Sequence, residues 1–256
     1  MIKKPLILVT NDDGIYAPGI KALVEVALQF GEVLVVAPDT GQSGMGHAIT
    51  ISNILRLREI DYLPNVKAYS CTGTPVDCVK LAIYKVLQKK PDLLLSGINH
   101  GANHSINVIY SGTMSAAVEG ALEGIPSLGF SLLDYSHHAD MEPAKVFAHK
   151  IIKNALIKGM PKDICLNVNI PKANISAIKG IKVCRQAKGN WEDNFEVRTD
   201  PHQRNYYWLT GEFKNEDKGE DTDVYALENN FVSVVPVQYD LTAHHAIAAI
   251  NDWDYE

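Results

Sequence analysis

Leu6-Ile7-Leu8-Val9-Thr10-Asn11-Asp12-Asp13-Gly14 is an apolar run that breaks off into a polar turn. A short, continuous run of this kind suits a strand covered on both faces, as in a parallel sheet. The two adjacent carboxylates at its end, Asp12 and Asp13, repel one another and need full solvation or a compensating cation. Open α/β sheets bind their ligands beyond the carboxyl ends of the strands, so the pair reads first as a metal site. Asp-Asp-Gly is also a common turn, and for this pair alone structure and function are evenly matched.

The alternation continues outward from this stretch. Ile20, Leu23, Val24, Ala27 and Leu28 share one face of a helix near 17–30, with Gly31 as its stop, and Glu32 to Ala37 reads as a second buried strand. A helix near 75–87, entered through Thr74 as cap and Pro75 in its first position, leads to a strand over 92–96. A small-residue helix from Gly112, a strand over 125–132, a helix near 143–158 and a strand over 166–170 follow. Such a chain is α/β: helices on both faces of a mostly parallel sheet, three layers in all. Two strand-like runs, 49–57 and 66–71, interrupt the pattern and predict a hairpin or sheet edge.

From about Gly189 the character changes. Trp191, Phe195, Tyr206, Tyr207 and Trp208 are followed by a charged run from Glu212 to Asp223, which reads as a protruding β-hairpin arm and a solvated loop. A two-stranded ribbon cannot bury such aromatics alone, so either a partner subunit covers them or the arm folds back on its own core. Phe231 to Val237 then supplies another strand, and 240–250 a short helix. One domain is expected over 1–256, its core spanning about 1–188 and 224–256 and its arm and loop about 189–223.

Composition narrows the function. With 256 residues the chain can bury a large core, and a formal charge of −6 provides no basic field for a nucleic acid polymer or an anionic membrane. A small ligand held by a local site fits better. The four cysteines, Cys71, Cys78, Cys165 and Cys184, show no paired spacing and read as reduced and buried. Although Lys3 and Lys4 precede it, the run from Leu6 to Val9 is too short for a signal-peptide core, so a cytoplasmic protein is expected.

Three further segments belong at strand ends. Pro38 to His47 is a loop with three glycines in which Ser43 is the best ligand, and Ser96 to Asn103 places Asn99 at a strand mouth. Two carboxylates, a hydroxyl and a carboxamide are hard oxygen ligands that suit Mg²⁺ or Mn²⁺ retaining several waters, whereas zinc and copper prefer imidazole and thiolate. The third segment, Tyr110-Ser111-Gly112-Thr113, opens a helix whose free N–H groups and hydroxyls could cradle phosphate, although Ser and Thr are also ordinary caps. A helix terminus supplies at most about 2 kcal/mol, far short of what phosphate ester hydrolysis demands, so hydrolysis here would depend on the cation. His47, His100 and His104 fall inside these loops and are read as surface histidines, with His47 the best of them as a proton donor.

Taken in order, these segments resemble the SurE family of survival-protein nucleotidases. The resemblance rests on Asn11-Asp12-Asp13-Gly14, Ala37-Pro38-Asp39 with Gln42-Ser43-Gly44, Gly73-Thr74-Pro75 with Asp77-Cys78-Val79, Ser96-Gly97-Ile98-Asn99, and Tyr110-Ser111-Gly112-Thr113. It extends to Asp223 through Leu227, Val232-Ser233-Val234 and Asp240-Leu241-Thr242. The resemblance implies a Rossmann-like core and a phosphatase acting on nucleoside monophosphates. It implies one divalent cation per subunit, held by Asp12, Asp13, Ser43 and Asn99, and a homodimer or homotetramer whose arms are exchanged. Met45, Val76, Met114 and His244 depart from many members, which touches substrate preference and leaves the metal set intact.

On this reading Asp12, Asp13 and Asn99 are catalytic, with one aspartate assisting proton removal, and Asn103, Ser111, Gly112 and Thr113 bind the substrate phosphate. A phosphorylation-receiver or metal-sensing module also keeps an acidic pair after its first strand. It needs a later phosphoacceptor Asp and a Lys where this chain has Asn99 and Ser131. A dehalogenase-type phosphatase needs an Asp-x-Asp spacing that Asn11-Asp12-Asp13-Gly14 lacks.

Overall fold

The structure is a computed structural model that describes residues 4–255, so Lys3 and the outermost ends of the expected core lie outside the described residues. β1 (Leu6–Thr10), α1 (Pro18–Ala27) and β2 (Glu32–Pro38) follow the expected order. β3 (Leu57–Leu63) and β4 (Val66–Cys71) form an antiparallel hairpin at one sheet edge, and α2 (Pro75–Leu81) runs on as a π-helix over Ala82–Leu87. Then come β5 (Leu93–His100), α3 (Gly112–Leu122), β6 (Ser127–Leu132), α4 (Glu142–Lys158), β7 (Ile164–Ile170) and β8 (Gly180–Val183). β9 (Asn190–Thr199) and β10 (Asn205–Lys214) make the arm, and α5 (Asp223–Glu228), β11 (Phe231–Gln238) and α6 (Ile247–Asn251) complete the chain.

Nine strands form one sheet in the order β3-β4-β2-β1-β5-β6-β7-β11-β8. All its pairings are parallel except β3 with β4 and β7 with β11. Successive strand residues face opposite sides. Ile7 and Val9 therefore join a core with α1 and α4, while Leu8 joins another with α2. Burial on both faces explains why β1, β2 and β5 read as continuous apolar runs. All four cysteines are buried and free. Among the described residues no helix is long and apolar enough to cross a membrane.

Three expectations are corrected. The strand expected over 49–57 begins only at Leu57, and Ile51 and Ile54 are exposed. Thr50 gives its N–H and hydroxyl to Asp77, and the Ala48 carbonyl accepts from the Thr74 hydroxyl. The start of that segment is thus bonded to the capping-box residues of α2 and not to a strand ladder. The charged run expected as a solvated loop ends in Thr222 and Asp223, both fully buried. The helix expected over 240–250 is reduced to a 3-10 turn at His244–Ala246 and the five residues of α6.

One glycine sets the distance between α1 and the sheet beside the first strand end. A Cβ on Gly19 would stand 1.9 Å from the Ile98 carbonyl oxygen, and backbone cannot yield as a flexible side chain does. Gly19→Ala is expected to lower stability by about 3 kcal/mol through overpacking. An unchanged urea midpoint would contradict this close approach.

Candidate active site

β1 ends at Thr10, and the following turn is stapled from within. Asn11, buried, donates from Nδ2 to the Gly14 carbonyl at 2.8 Å, and Gly14 takes φ +100°, a conformation that glycine adopts without strain. The staple holds Asp12 inward, only 4% exposed, and leaves Asp13 partly open. Asp12 Oδ1 accepts the Thr113 hydroxyl of α3, and Asp13 Oδ2 accepts the His100 N–H of β5 at 3.2 Å. Burial, joined by the neighbouring Asp13 charge, pushes the Asp12 carboxyl up to about 6 against the pull of Thr113. Asp13 is also raised by burial, opposed by His100 and His137. Among the described residues neither carboxylate has a Lys or Arg ion-pair partner.

β5 carries Asn99 further than the sequence suggested, because the strand continues to His100 after a register shift between Ser96 and Asn99. Asn99 Nδ2 donates to the Gly101 carbonyl at 2.9 Å, so its amide oxygen is left as a lone-pair donor. The glycine-rich loop is tied to this centre at two points: Gln42 N–H donates to the Asp12 carbonyl at 2.7 Å, and Gly46 N–H to the Tyr110 carbonyl at 3.2 Å. Between these ties Ser43 is exposed. The loop base is anchored by His47, whose Nε2 lies 2.9 Å from Oε2 of Glu119, a buried carboxylate that also accepts from Lys80.

α3 begins at the carboxylate itself. A Cβ on Gly112 would stand 2.7 Å from the Asp12 Cβ and 3.0 Å from its Oδ2, so only glycine lets the first turn come this close. The Ser111 hydroxyl accepts the Met114 N–H at 3.0 Å as the cap. Thr113 is fully buried, its hydroxyl spent on Asp12. The Thr113 hydroxyl proton is thus spent, whereas the Ser111 hydroxyl only accepts and keeps its own proton, so the groups free to meet an anion are the Ser111 O–H and the Gly112 and Thr113 N–H groups of the first turn, at the positive end of the helix.

The structure therefore brings Asp12, Asp13, Asn99, Gly112 and Thr113 to one strand end, with Ser43 on a loop tied to it. Asn103, buried, lies in the loop after β5 and donates from Nδ2 to Ser131 Oγ at 2.8 Å. Asp, Asn and Ser oxygens fit a hard divalent cation, and Asn99 sits where a receiver module would need its phosphoacceptor Asp. His100 hands Nδ1 to the Ser136 carbonyl at 3.0 Å, and the ring of His104 stands edge-on to Phe213 at 5.1 Å, where burial lowers its pKa.

Sequence reading missed the residues that hold this loop from behind. Asn167 and Asn169 of β7 bond to the Asn103 backbone, and Asp223 takes the Ser105 N–H at 2.8 Å. Ser105 Oγ donates to the Ala187 carbonyl at 2.9 Å and accepts the Gly189 N–H at 3.0 Å, while Trp191 Nε1 donates to Asn107 at 2.7 Å. The arm is thus fixed at its base to the segment after β5, whereas Phe195, Tyr207, Trp208 and Leu209 farther out are exposed.

The model of the family described as survival protein SurE matches residues 7–193. A protein of Christiangramia forsetii described as 5'-nucleotidase SurE is 62% identical over 253 residues, covering 98% of this chain and 97% of the relative. One of Flavobacterium psychrophilum with the same description is 61% identical, covering 99% of each. The crystal structure of the SurE protein from Aquifex aeolicus superposes with a TM-score of 0.84 at 41% identity, over 96% of this chain and 98% of that one. With the aspartate pair, the capped helix and the strand order all in place, and with identity sustained across nearly the whole length, the chain belongs to the SurE family.

Proposed function

We propose that the protein is a 5'-nucleotidase, a hydrolase that releases phosphate from nucleoside 5'-monophosphates with the help of a divalent cation. The observation that carries this reading is the abutment of Asp12 on the first turn of α3, which brings an oxygen donor suited to a hard cation beside free N–H groups suited to an anion. The description of close relatives as 5'-nucleotidases supports it. Asp12, Asp13, Ser43 and Asn99 would hold one Mg²⁺ or Mn²⁺ per subunit, an ion that polarises a phosphoryl oxygen and acidifies bound water.

The chain's own groups do the rest. The Ser111 hydroxyl, the Gly112 and Thr113 N–H groups and the Asn103 carboxamide hold phosphate oxygens, and one of the two aspartates takes a water proton. A terminal phosphate on a 3'-nucleotide or a short polyphosphate presents the same oxygens to the same cradle. The exposed aromatics of the arm fit a homodimer or homotetramer in which arms are exchanged. Four buried free thiols suit a reducing cytoplasm.

Phosphate release from AMP should require Mg²⁺ or Mn²⁺, stop in EDTA and fall to background in Asp13→Ala. The cation competes with protons for carboxylates whose pKa values are raised, so Mn²⁺ affinity should weaken as pH falls through about 6. Hydrolysis that survives EDTA, or that Asp13→Ala retains at the wild-type rate, would remove the reading.

A further inference from the structure

Val168 and Ile170 of β7 belong to the core shared with α1 and α4. Asn167 and Asn169 alternate with them, so they face the opposite side of the sheet, and both are buried. Burial alone would be served better there by valine or leucine, because a carboxamide taken from water costs free energy unless its hydrogen bonds are remade. Here they are remade with one loop. Asn169 Nδ2 donates to Asn167 Oδ1 at 2.8 Å, Asn169 Oδ1 accepts the Asn103 N–H at 2.8 Å, and Asn167 Nδ2 donates to the Asn103 carbonyl at 2.7 Å.

Asn103 is thereby gripped at both polar groups of its backbone. Its side chain is fixed as well, since Nδ2 donates to Ser131 Oγ at 2.8 Å. An amide nitrogen carries two protons, so this bond orients the plane and leaves a second N–H. Asn103, Asn167, Asn169 and Ser131 are all buried, which shields these bonds from exchange with water.

We propose that Asn169, seconded by Asn167, is a positioning residue for the nucleotidase reaction: it locks Asn103 so that the remaining carboxamide N–H meets a phosphate oxygen in one orientation. The proposal rests on the reading of Asn103 as a phosphate contact. Asn169 acts through Asn103 and touches neither cation nor substrate. A displacement of about 1 Å in such a group can cost about 100-fold in rate.

The test is a double-mutant cycle on AMP hydrolysis, with Mn²⁺ and inorganic phosphate binding measured on each variant. Asn169→Ala and Asn103→Ala should each lower kcat/KM by roughly 10- to 100-fold and weaken phosphate binding, with Mn²⁺ affinity within about twofold of wild type. The double variant should be no worse in kcat/KM than the poorer single variant, because the second change removes support for a side chain already gone. Should Asn169→Ala fold poorly, Asn169→Ser, which keeps a hydroxyl at the site, goes through the same cycle with the same expectation in smaller measure. Additive losses, unchanged phosphate binding, or Mn²⁺ affinity falling in step with kcat/KM would overturn the inference while leaving the nucleotidase standing. Wild-type protein that releases no phosphate from AMP would remove both.

Discussion

Asp12→Asn should lower kcat/KM by about 10³-fold or more and, at the same time, make the metal-free protein more stable at pH 8. The first effect follows from the proposed cation: losing one of the two carboxylates that would hold it forfeits several kcal/mol of charge stabilisation, and roughly 4 kcal/mol is three decades of rate. The second follows from burial. The Asp12 carboxyl is raised from 3.8 to about 6, so the folded state binds its proton more tightly than the unfolded chain does. Ionised Asp12 therefore costs stability, a cost absent below about pH 4, growing through the interval, and complete above about pH 6. About two pH units at about 1.4 kcal/mol each is about 3 kcal/mol. Asparagine keeps an oxygen for the Thr113 hydroxyl and sheds the charge. Denaturation in EDTA should show the variant ahead of wild type at pH 8 and the gap closing toward pH 4. A variant less stable than wild type at pH 8, or one that keeps a tenth of the activity, would contradict this account.

The same carboxylate shows why part of the site was readable. Its partners are close to it along the sheet, and each lies in a short polar motif at an element's end: Asn99 in the last residues of β5, Gly112 and Thr113 at the start of α3. Local chemistry marks such places because an apolar run must stop where the chain turns to water. The caps at Ser111 and Thr74 were equally visible, being formed between residues three apart, whereas the reciprocal bond that Asp77 returns to Thr74 is added by the structure.

What stayed hidden was the support brought from far along the chain. Asn167 and Asn169 carry a faint signal, two amides on one face of an otherwise apolar strand, but their partner Asn103 is more than sixty positions away. Ile49 to Leu57 looked like a strand because β-branched residues favour one. The Asp77 carboxylate claimed the Thr50 N–H and hydroxyl instead, and the Thr74 hydroxyl the carbonyl of Ala48 just before the run. β3 was shifted for a complementary reason: Arg58, Glu59 and Asp61 give it no apolar alternation, and an edge strand needs none.

Asp223 is the extreme case, and removing its carboxylate should produce one of the largest stability losses in the protein. It closes a run of charged residues, yet its side chain is fully buried and accepts from Ser105 N–H at 2.8 Å, Ala187 N–H at 2.9 Å and Val224 N–H at 2.8 Å. Those donors belong to the segment after β5, the base of the arm and the first turn of α5. Ser105 needs the hold, since it sits at φ +52°, which a residue with a side chain rarely adopts. Asp223→Ala would strand three buried donors. At about 1 to 3 kcal/mol for each unsatisfied group, with some regained by entering water, the expected loss is about 3 to 5 kcal/mol. Asp223→Asn keeps one oxygen but turns an amide toward an N–H, so it should fall between alanine and wild type. The arm should then loosen at its base, with faster proteolysis near Lys188, before the nine-stranded sheet unfolds. Urea midpoints in the order wild type, Asp223→Asn, Asp223→Ala would bear this out. An alanine variant within about 1 kcal/mol of wild type would mean that water replaces the carboxylate without loss and that the arm is held by Trp191 and Phe213 instead.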